Sequence, residues 1–203
     1  VLLATGSIER PMAFAHNDRP GVMLAQAART YVRRFGVLPG RRAIIATNND
    51  DGYRTAHALK DAGVEIVAIL DARPAPTGGE AGTAFNVLND ALPHSTRGSR
   101  HCLTSINAMV GGKIQSWNAD LLAVSGGFTP VVHLHMQAGG TLAWIEEAQA
   151  FVPSVSNQNT RTVGGAANPD AVFSAVPSGD PRKSFIDFQN DVTLADVDLA
   201  WAE

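Results

Sequence analysis

Two apolar segments of the chain each end in a glycine turn, and they enclose a self-contained stretch of sequence. Residues 2–6 read Leu-Leu-Ala-Thr-Gly and precede Pro11, and residues 121–127 read Leu-Leu-Ala-Val-Ser-Gly-Gly and precede Pro130. A strand that ends in glycine lets the backbone approach a ligand or cross between domains, because no Cβ is in the way. Either segment alone fits an ordinary strand-to-loop exit. The pair predicts two crossings between an outer domain and an inserted one.

The enclosed stretch predicts a compact α/β domain over residues 36–124. It contains one βαβ unit, in which residues 41–47 form a strand, residues 51–62 a helix and residues 64–71 a second, parallel strand. The pattern of apolar and turn residues predicts four further elements. These are a helix over residues 20–34, a loop over 73–82, a hairpin of residues 102–110 and 113–117, and a buried strand over 120–124.

Both ends of the chain resemble elements that are cut short. Residues 1–4 read as a buried strand already under way, and residues 191–203 read as the opening of a helix. We therefore expect the chain to be an excerpt from a longer polypeptide.

Charge and cysteine content exclude several classes of function. The chain has 16 Lys and Arg against 19 Asp and Glu and no dense basic run, so we expect no nucleic-acid partner. The single cysteine, Cys102, excludes an internal disulfide, a Cys-x-x-Cys redox pair and four-cysteine zinc or iron–sulfur sites. Any redox chemistry therefore needs an organic cofactor. Residues 64–70 form the longest apolar stretch, far below the roughly 20 residues of a membrane helix, so we expect no membrane partner.

The βαβ unit has some features of a dinucleotide site. In such sites the first loop and the following helix N-terminus bind a pyrophosphate, and an acidic residue that ends the second strand binds ribose hydroxyls. Asp71 ends the second strand here, but the glycine fingerprint is replaced by Thr-Asn-Asn-Asp-Asp-Gly, in which Asp50 and Asp51 would repel a pyrophosphate. Two interpretations stay open: a second nucleotide site at Asn48, Asn49 and Asp71, preferring NAD to NADP, or a purely structural unit.

Two other groups of residues suggest chemistry only weakly. His133 and His135 alternate along a predicted strand and would face one side, but two ligands do not make a metal site. We interpret them as a structural or surface pair. Cys102 begins an alternating strand without a partner and is interpreted as a buried, inert thiol. The sequence predicts no catalytic residue and no metal site.

A second run of small residues follows the later crossing. Residues 163–168 read Val-Gly-Gly-Ala-Ala-Asn, and residues 171–173 could begin a helix. Small residues at this position would let backbone N–H groups meet a cofactor phosphate or a ribityl-like chain, with a plain turn as the alternative. Gly165 would then belong to the same outer domain as residues 4–6.

Five motifs, in order, give the chain a resemblance to a known family. An Ala-Thr-Gly segment, an inserted βαβ domain and a later Val-Gly-x-Ala strand resemble the two-dinucleotide-fold flavoprotein disulfide reductases, although the redox cysteines are absent. More specifically, essentially the whole chain resembles the alpha subunits of heterotetrameric sarcosine oxidases. The motifs are residues 4–11 (ATGSIERP), 17–23 (NDRPGVM), 47–54 (TNNDDGYR), 124–135 (VSGGFTPVVHLH) and 185–193 (FIDFQNDVT).

The resemblance implies an α/β fold with a Rossmann-like, FAD/NAD(P)-binding inserted domain and part of an outer nucleotide-binding domain. The implied domains are four: residues 1–35, the end of the first half of the outer dinucleotide-binding domain with the crossover; 36–124, the inserted domain; 125–181, the return to the outer domain; and 182–203, the start of the following small domain.

The resemblance also implies which cofactors are bound and where. NAD would lie in the outer domain, against Ala4, Thr5, Gly6, Gly165, Ala166, Ala171 and Phe173. The FAD and FMN of the holoenzyme would lie largely outside this chain. Related hydrogen cyanide synthase, opine oxidase and proline dehydrogenase subunits would carry iron–sulfur cysteines near residues 188–191. Phe-Gln-Asn-Asp stands there instead, which favours the sarcosine oxidase type.

The implied function is that of an oxidoreductase acting on CH–NH donors as part of a complex with beta, gamma and delta subunits. The complex would demethylate sarcosine to glycine, with hydrogen peroxide and methylene-tetrahydrofolate as products. Sarcosine and tetrahydrofolate would bind elsewhere in the complex. We expect a cytoplasmic protein and an inactive isolated segment. The alternative is an NAD(P)H-dependent flavin reductase module of another amine or amino-acid dehydrogenase, of the opine oxidase, proline dehydrogenase or hydrogen cyanide synthase type.

Overall fold

A computed structural model describes residues 1–75, 84–146 and 148–167 of the chain. The chain divides into a larger unit, Glu9–Gly127, and a smaller unit formed by Val1–Ile8 and the chain from Phe128 onward. The larger unit extends beyond residues 36–124, the bounds predicted for the inserted domain, because residues 22–35 belong to its sheet and core. The insertion itself stays a prediction.

The larger unit is built on a parallel sheet with helices on one side and an antiparallel sheet on the other. The strands of the parallel sheet are β3 (Val22–Leu24), β4 (Arg42–Thr47), β5 (Glu65–Asp71), β6 (Val87–Asn89) and β10 (Leu121–Ser125). They lie in the order β3-β10-β4-β5-β6. The remaining elements are α1 (Ala25–Phe35), α2 (Asp51–Asp61), and the antiparallel strands β7 (Ala91–Gly98), β8 (Leu103–Val110) and β9 (Lys113–Asn118).

Strand alternation explains the layers. Successive residues of a strand point to opposite faces, so a central parallel strand covered on both sides is apolar throughout. In β4, Ile45 packs in the core cluster that contains Ala28 and Leu59 of the helices, whereas Ile44 packs in the cluster that contains Ile106 of β8. The carboxyl ends of β4, β5 and β10 meet at one edge of this sheet.

The sequence predicted most of the larger unit. The strands at β4, β5 and β10, helix α2 and the hairpin of β8 and β9 are confirmed within one or two residues. The predicted helix over residues 20–34 is wrong at its start, because Val22–Leu24 pair with β10 as strand β3. The helix ends at Phe35, before Gly36, whose φ of +64° suits glycine. Strands β6 and β7 were not predicted. The predicted loop over residues 73–82 lies mostly outside the described residues.

The smaller unit consists of paired short strands. β1 (Leu2–Leu3) pairs in parallel with β14 (Arg161–Thr162), β2 (Ser7–Glu9) pairs with β11 (Phe128–Pro130), and β12 (Leu142–Ile145) pairs antiparallel with β13 (Ala150–Pro153). The other elements are the short helix α3 (His133–Gln137) and one turn of 3-10 helix, Gly164–Ala166. The strand predicted through His133 and His135 is therefore wrong, since both residues lie in α3.

The segments that follow the two glycine turns run side by side. In the larger unit, Arg10 N–H donates to the Gly127 carbonyl and Gly126 N–H donates to the Arg10 carbonyl, both at 2.8 Å. In the smaller unit, Val131 N–H donates to the Gly6 carbonyl at 2.9 Å. Each of these bonds lies within one unit, and the two crossings between domains stay a prediction.

Candidate functional site

The parallel pair β1 and β14 brings the two small-residue segments of the smaller unit together. Leu3 is the register partner of Thr162, and Val163 N–H donates to the Leu3 carbonyl at 3.0 Å. Beyond this bond both chains turn. A Cβ built on Gly165 would lie 3.0 Å from Ser7 Oγ and 3.6 Å from the Gly6 carbonyl carbon. Residues from separate parts of the sequence therefore meet at the ends of two strands.

The first of these segments is fixed by backbone geometry and one side-chain bond. Gly6 has a φ of +74°, which strains any residue with a Cβ, and its Cβ position has no atom within 4 Å. The Thr5 hydroxyl donates to the Val131 carbonyl at 2.5 Å. Ala4 lies between this bond and the parallel pair. The segment thus presents small residues and backbone around an open space.

The second segment continues β14 into the 3-10 turn. Gly164 has a φ of +68°, Gly165 lies against the first segment, and Ala166 is fully buried. Ala171 and Phe173, also predicted to contact NAD, lie outside the described residues.

Strand ends of this kind suit a nucleotide. In α/β sheets, ligands bind outside the carboxyl ends of parallel strands, and small residues there let backbone approach a phosphate or ribose. Gly6 and Gly165 fit this requirement, because the space beside Gly6 is open and Gly165 has no Cβ to push the two segments apart. The arrangement offers backbone groups and open space at these strand ends, and residues 4–6 and 164–166 carry no carboxylate, imidazole or thiol.

In the larger unit, polar side chains at the carboxyl ends of the parallel strands are bonded to neighbouring residues. Asn49 Nδ2 donates to both the Ser125 hydroxyl, at 3.0 Å, and the Ser125 carbonyl, at 3.2 Å, and Asn49 Oδ1 accepts from Asp51 N–H at 3.0 Å. Asn48 N–H donates to the Ser125 carbonyl at 3.2 Å. The loop after β4 is thereby bonded to the end of β10, and Asn49 caps the first turn of α2.

Asp71, the predicted ribose ligand, is engaged by two side chains. Its carboxylate is fully buried and accepts from the Tyr53 hydroxyl at 2.8 Å and from Arg73 Nε and Nη2 at 3.0 and 2.8 Å. Arg73 also pairs with Asp50 at 2.8 Å. Burial and the bond to Asp71 raise the pKa of the Tyr53 hydroxyl. Burial lowers the pKa of the Arg73 guanidinium, but its bonds to Asp71 and Asp50 outweigh this and raise it.

Two further carboxylates are bonded near the N-termini of the two helices. Asp51, 1% exposed, forms a bidentate pair with Arg29 at 2.8 and 2.9 Å. Glu9, 4% exposed, accepts from Gln26 N–H in the first turn of α1 at 2.8 Å. Burial raises the pKa of the Glu9 carboxyl, and Asp51 adds to the rise, while bonds from Gln26 and Ser125 oppose it. Sequence analysis missed Glu9 and Arg29, since their partners lie far along the chain and no local pattern marks them.

A small cleft of about 250 Å³ remains at this edge of the larger unit. No charged side chain lines it, and its walls combine two prolines, Met12 and the backbone of small residues. The lining residues are Pro11, Met12, Ala13, Asn48, Ala72, Leu92, Pro93 and Gly126. The cleft is small for a dinucleotide, because sites for drug-sized ligands begin at about 300 Å³.

The remaining candidates have structural environments. His135 is buried and bonded at both ring nitrogens, whereas His133 is exposed. Cys102 is exposed, which contradicts the interpretation of a buried thiol, because it precedes β8 in a surface loop. Within the described residues, no group of three His, Cys, Asp or Glu side chains could hold a metal ion. No helix in the same ranges is long and apolar enough to cross a membrane.

Comparison with known proteins connects this geometry to an enzyme family. The sarcosine oxidase alpha subunit of Rhizobium meliloti (strain 1021) is 36% identical, over 100% of this chain and 24% of its own length. An opine oxidase subunit of Agrobacterium tumefaciens (strain Ach5) is 29% identical, over 81% of this chain and 37% of its own length. The chain therefore spans about a quarter of the sarcosine oxidase subunit that it matches. It matches no protein-family model.

A solved structure gives the fold independently. Thioredoxin reductase of T. acidophilum superposes with a TM-score of 0.64 at 13% identity, over 83% of this chain and 57% of that one. An identity this low shows the fold alone, which is the α/β fold of FAD/NAD(P)-binding oxidoreductases. Over most of its length, the chain is accordingly a homologue of the alpha subunits of sarcosine oxidases.

Proposed function

We propose that this chain is the NAD-binding and scaffold module of a sarcosine oxidase alpha subunit, with NAD held in the smaller unit. The observation that carries the proposal is the meeting of Gly6 and Gly165 at the ends of the parallel strands β1 and β14. Backbone and small residues at such strand ends are what a dinucleotide requires. Ala4, Thr5, Ala166, Ala171 and Phe173 are the other predicted contacts, of which Ala166 is fully buried and would act by supporting the turn.

The wider function is proposed from the resemblance to sarcosine oxidase alpha subunits. The complete complex would demethylate sarcosine oxidatively to glycine, with hydrogen peroxide and methylene-tetrahydrofolate as products, in the cytoplasm. Its FAD and FMN, its sarcosine and tetrahydrofolate sites, and its beta, gamma and delta subunits would lie largely outside this chain. Bound NAD would supply a nicotinamide ring able to carry a hydride. The segment itself contributes binding and scaffold surfaces, and we expect it to be inactive alone.

The larger unit supports the scaffold half of the proposal. A pyrophosphate beside the start of α2 would meet the carboxylates of Asp50 and Asp51, and a ribose beside β5 would compete with Tyr53 and Arg73 for Asp71. Because these groups already satisfy one another, the βαβ unit has no need of a nucleotide for its own integrity.

The test compares two glycines with similar backbone and different surroundings. Gly6 and Gly36 have φ values of +74° and +64°, and neither Cβ position has an atom within 4 Å. Alanine strains both backbones by about 1–2 kcal/mol. In the complete sarcosine oxidase complex, Gly6→Ala should lower the NAD content about tenfold, because its methyl group enters the nucleotide space, whereas Gly36→Ala should leave it unchanged.

The readout is mass spectrometry of nucleotides released on denaturation. A wild-type complex without NAD would refute the cofactor assignment. Equal NAD loss in both variants would refute the location, because strain alone would then explain it.

A second candidate is an NAD(P)H-dependent flavin reductase of the opine oxidase type, with the nucleotide at Asn48, Asn49 and Asp71. The cleft beside Asn48 favours it, since it lies at the strand ends where that nucleotide would bind. This candidate predicts that NADH bleaches the bound flavin of the complex and that Asp71→Ala abolishes bleaching. The engagement of Asp71 by Tyr53 and Arg73 weighs against it, and a complex that does not respond to NADH would eliminate it.

A further inference from the structure

One histidine of the smaller unit is buried without any role in the function proposed above. His135 of α3 is 4% exposed. Its Nε2 lies 3.0 Å from the Thr141 carbonyl and its Nδ1 lies 3.3 Å from the Thr162 hydroxyl. The ring therefore joins α3 to the start of the β12–β13 hairpin and to β14.

The partners fix the tautomer of the ring. A carbonyl can only accept, so Nε2 carries the proton and donates to Thr141. Nδ1 then has a lone pair and accepts from the Thr162 hydroxyl. The ring also packs closely on Gly140, where a Cβ would overlap Nε2. Both nitrogens are satisfied, and the ring cannot shift towards Gly140.

Thr162 is the last residue of β14 before the glycine turn. Its backbone is in register with Leu3, the following N–H of Val163 donates to Leu3, and Gly165 then lies against Gly6 and Ser7. The hydroxyl that bonds His135 is thus three residues from the glycine that closes the proposed site. The imidazole holds β14 through a side chain, in addition to the backbone pairing with β1.

We propose that His135 is a positioning residue for the nucleotide, which sets the Gly165 turn through the Thr162 hydroxyl. This role rests on the proposed NAD site of the smaller unit. Without the hydrogen bond, β14 keeps its backbone pairing with β1, but its end loses the anchor that fixes the turn. The affinity of the complex for NAD should then fall.

The test uses one substitution at two neighbouring threonines. Thr162→Val keeps the branched shape and removes the bond to His135, while Thr160→Val removes an exposed bond to the Ser156 hydroxyl. In the complete, nucleotide-depleted complex, Thr162→Val should raise the dissociation constant for NAD about fivefold, because about 1 kcal/mol for ordering the unanchored Gly165 turn would then be taken from the binding free energy. Thr160→Val should leave it unchanged. Because Thr162→Val leaves the buried Nδ1 of His135 without a donor, its melting temperature should fall by a few degrees, and both dissociation constants are therefore measured well below the melting transition.

A second pair of variants tests the ring itself. His135→Gln retains a donor for Thr141 and an acceptor for Thr162, so it should preserve most of the NAD affinity that His135→Ala loses. Equal dissociation constants for Thr162→Val and Thr160→Val, with NAD bound by the wild type, would overturn the positioning role alone. Absence of NAD binding in the wild type would overturn the proposed function and this role together.

Discussion

The carboxyl ends of the parallel strands differ between the two units. In the smaller unit, the ends of β1 and β14 carry glycine, alanine and threonine and leave the space beside Gly6 open. In the larger unit, the ends of β4 and β5 carry Asn49 and Asp71, whose polar atoms are bonded to other side chains. The same type of strand end is open in one unit and filled in the other.

This difference shows two ways in which the carboxyl ends of parallel strands can be completed. A ligand site must leave donors or space unused, whereas a structural site gains stability when its buried polar groups satisfy each other. The Asp71–Arg73–Asp50 network does the latter. The open ends of the smaller unit should therefore be sensitive to changes in shape, and the filled ends of the larger unit to changes in charge.

The largest expected effect is the removal of Arg73 from the filled strand ends. Arg73→Ala leaves the carboxylate of Asp71 buried without its cation and should lower the free energy of unfolding by about 3 kcal/mol. The matched control is Arg42→Ala, whose pair with Glu65 is about half exposed and should contribute about 0.5 kcal/mol. Urea denaturation measures both. Equal losses of unfolding free energy in the two variants would show that the Asp71–Arg73 pair stabilises the protein no more than an exposed ion pair does.

A smaller effect concerns the pH dependence of stability. Because the folded-state pKa of Glu9 is raised above the usual 4.5, the folded protein holds this proton more tightly than the unfolded chain. The stability that protonated Glu9 contributes is complete below about pH 4.5 and is lost as pH rises through the folded-state pKa. Glutamine does not ionise, so the Glu9→Gln variant does not lose this stability. The melting temperature of the variant minus that of the wild type should therefore increase as pH rises above 4.5. A difference that stays constant up to pH 8 would contradict the assignment.

The smallest expected effect is at the open strand ends. Thr5→Val removes the bond to the Val131 carbonyl and should lower the free energy of unfolding by about 1 kcal/mol. Thr30→Val, on the exposed face of α1, should change it by less than about 0.5 kcal/mol. Chemical denaturation compares the two. A loss at Thr5 as large as that at Arg73 would erase the contrast between open and filled strand ends.

Local signals explain how much of the fold could be predicted. Apolar runs such as β4, the glycine after α2 and the Gly111-Gly112 turn each mark an element within a few residues of themselves. Strand β3 was missed because its three apolar residues run into α1 without a turn, so they fit the periodicity of the helix. Helix α3 was missed because Val-Val-His-Leu-His has the alternation of a strand.

The residues of the two sets of strand ends differ in how far a local pattern could predict them. Small residues near Gly6 and Gly165 form local patterns, so the sequence could predict them, although not that their segments touch. The partners of Asp71 could not be predicted as a set, because Tyr53 lies 18 positions away and reaches Asp71 only after α2 packs on β5. Bonds between distant residues depend on packing, which a local pattern does not encode.

The parallel pair of β1 and β14 also dictates an order of assembly. Its members are far apart along the chain, since Leu2 and Leu3 are the register partners of Arg161 and Thr162. The larger unit, by contrast, is continuous and rich in neighbouring contacts such as the β8–β9 hairpin. Because distant pairings are slow to close, we expect β1 and β14 to pair only after the intervening body has formed.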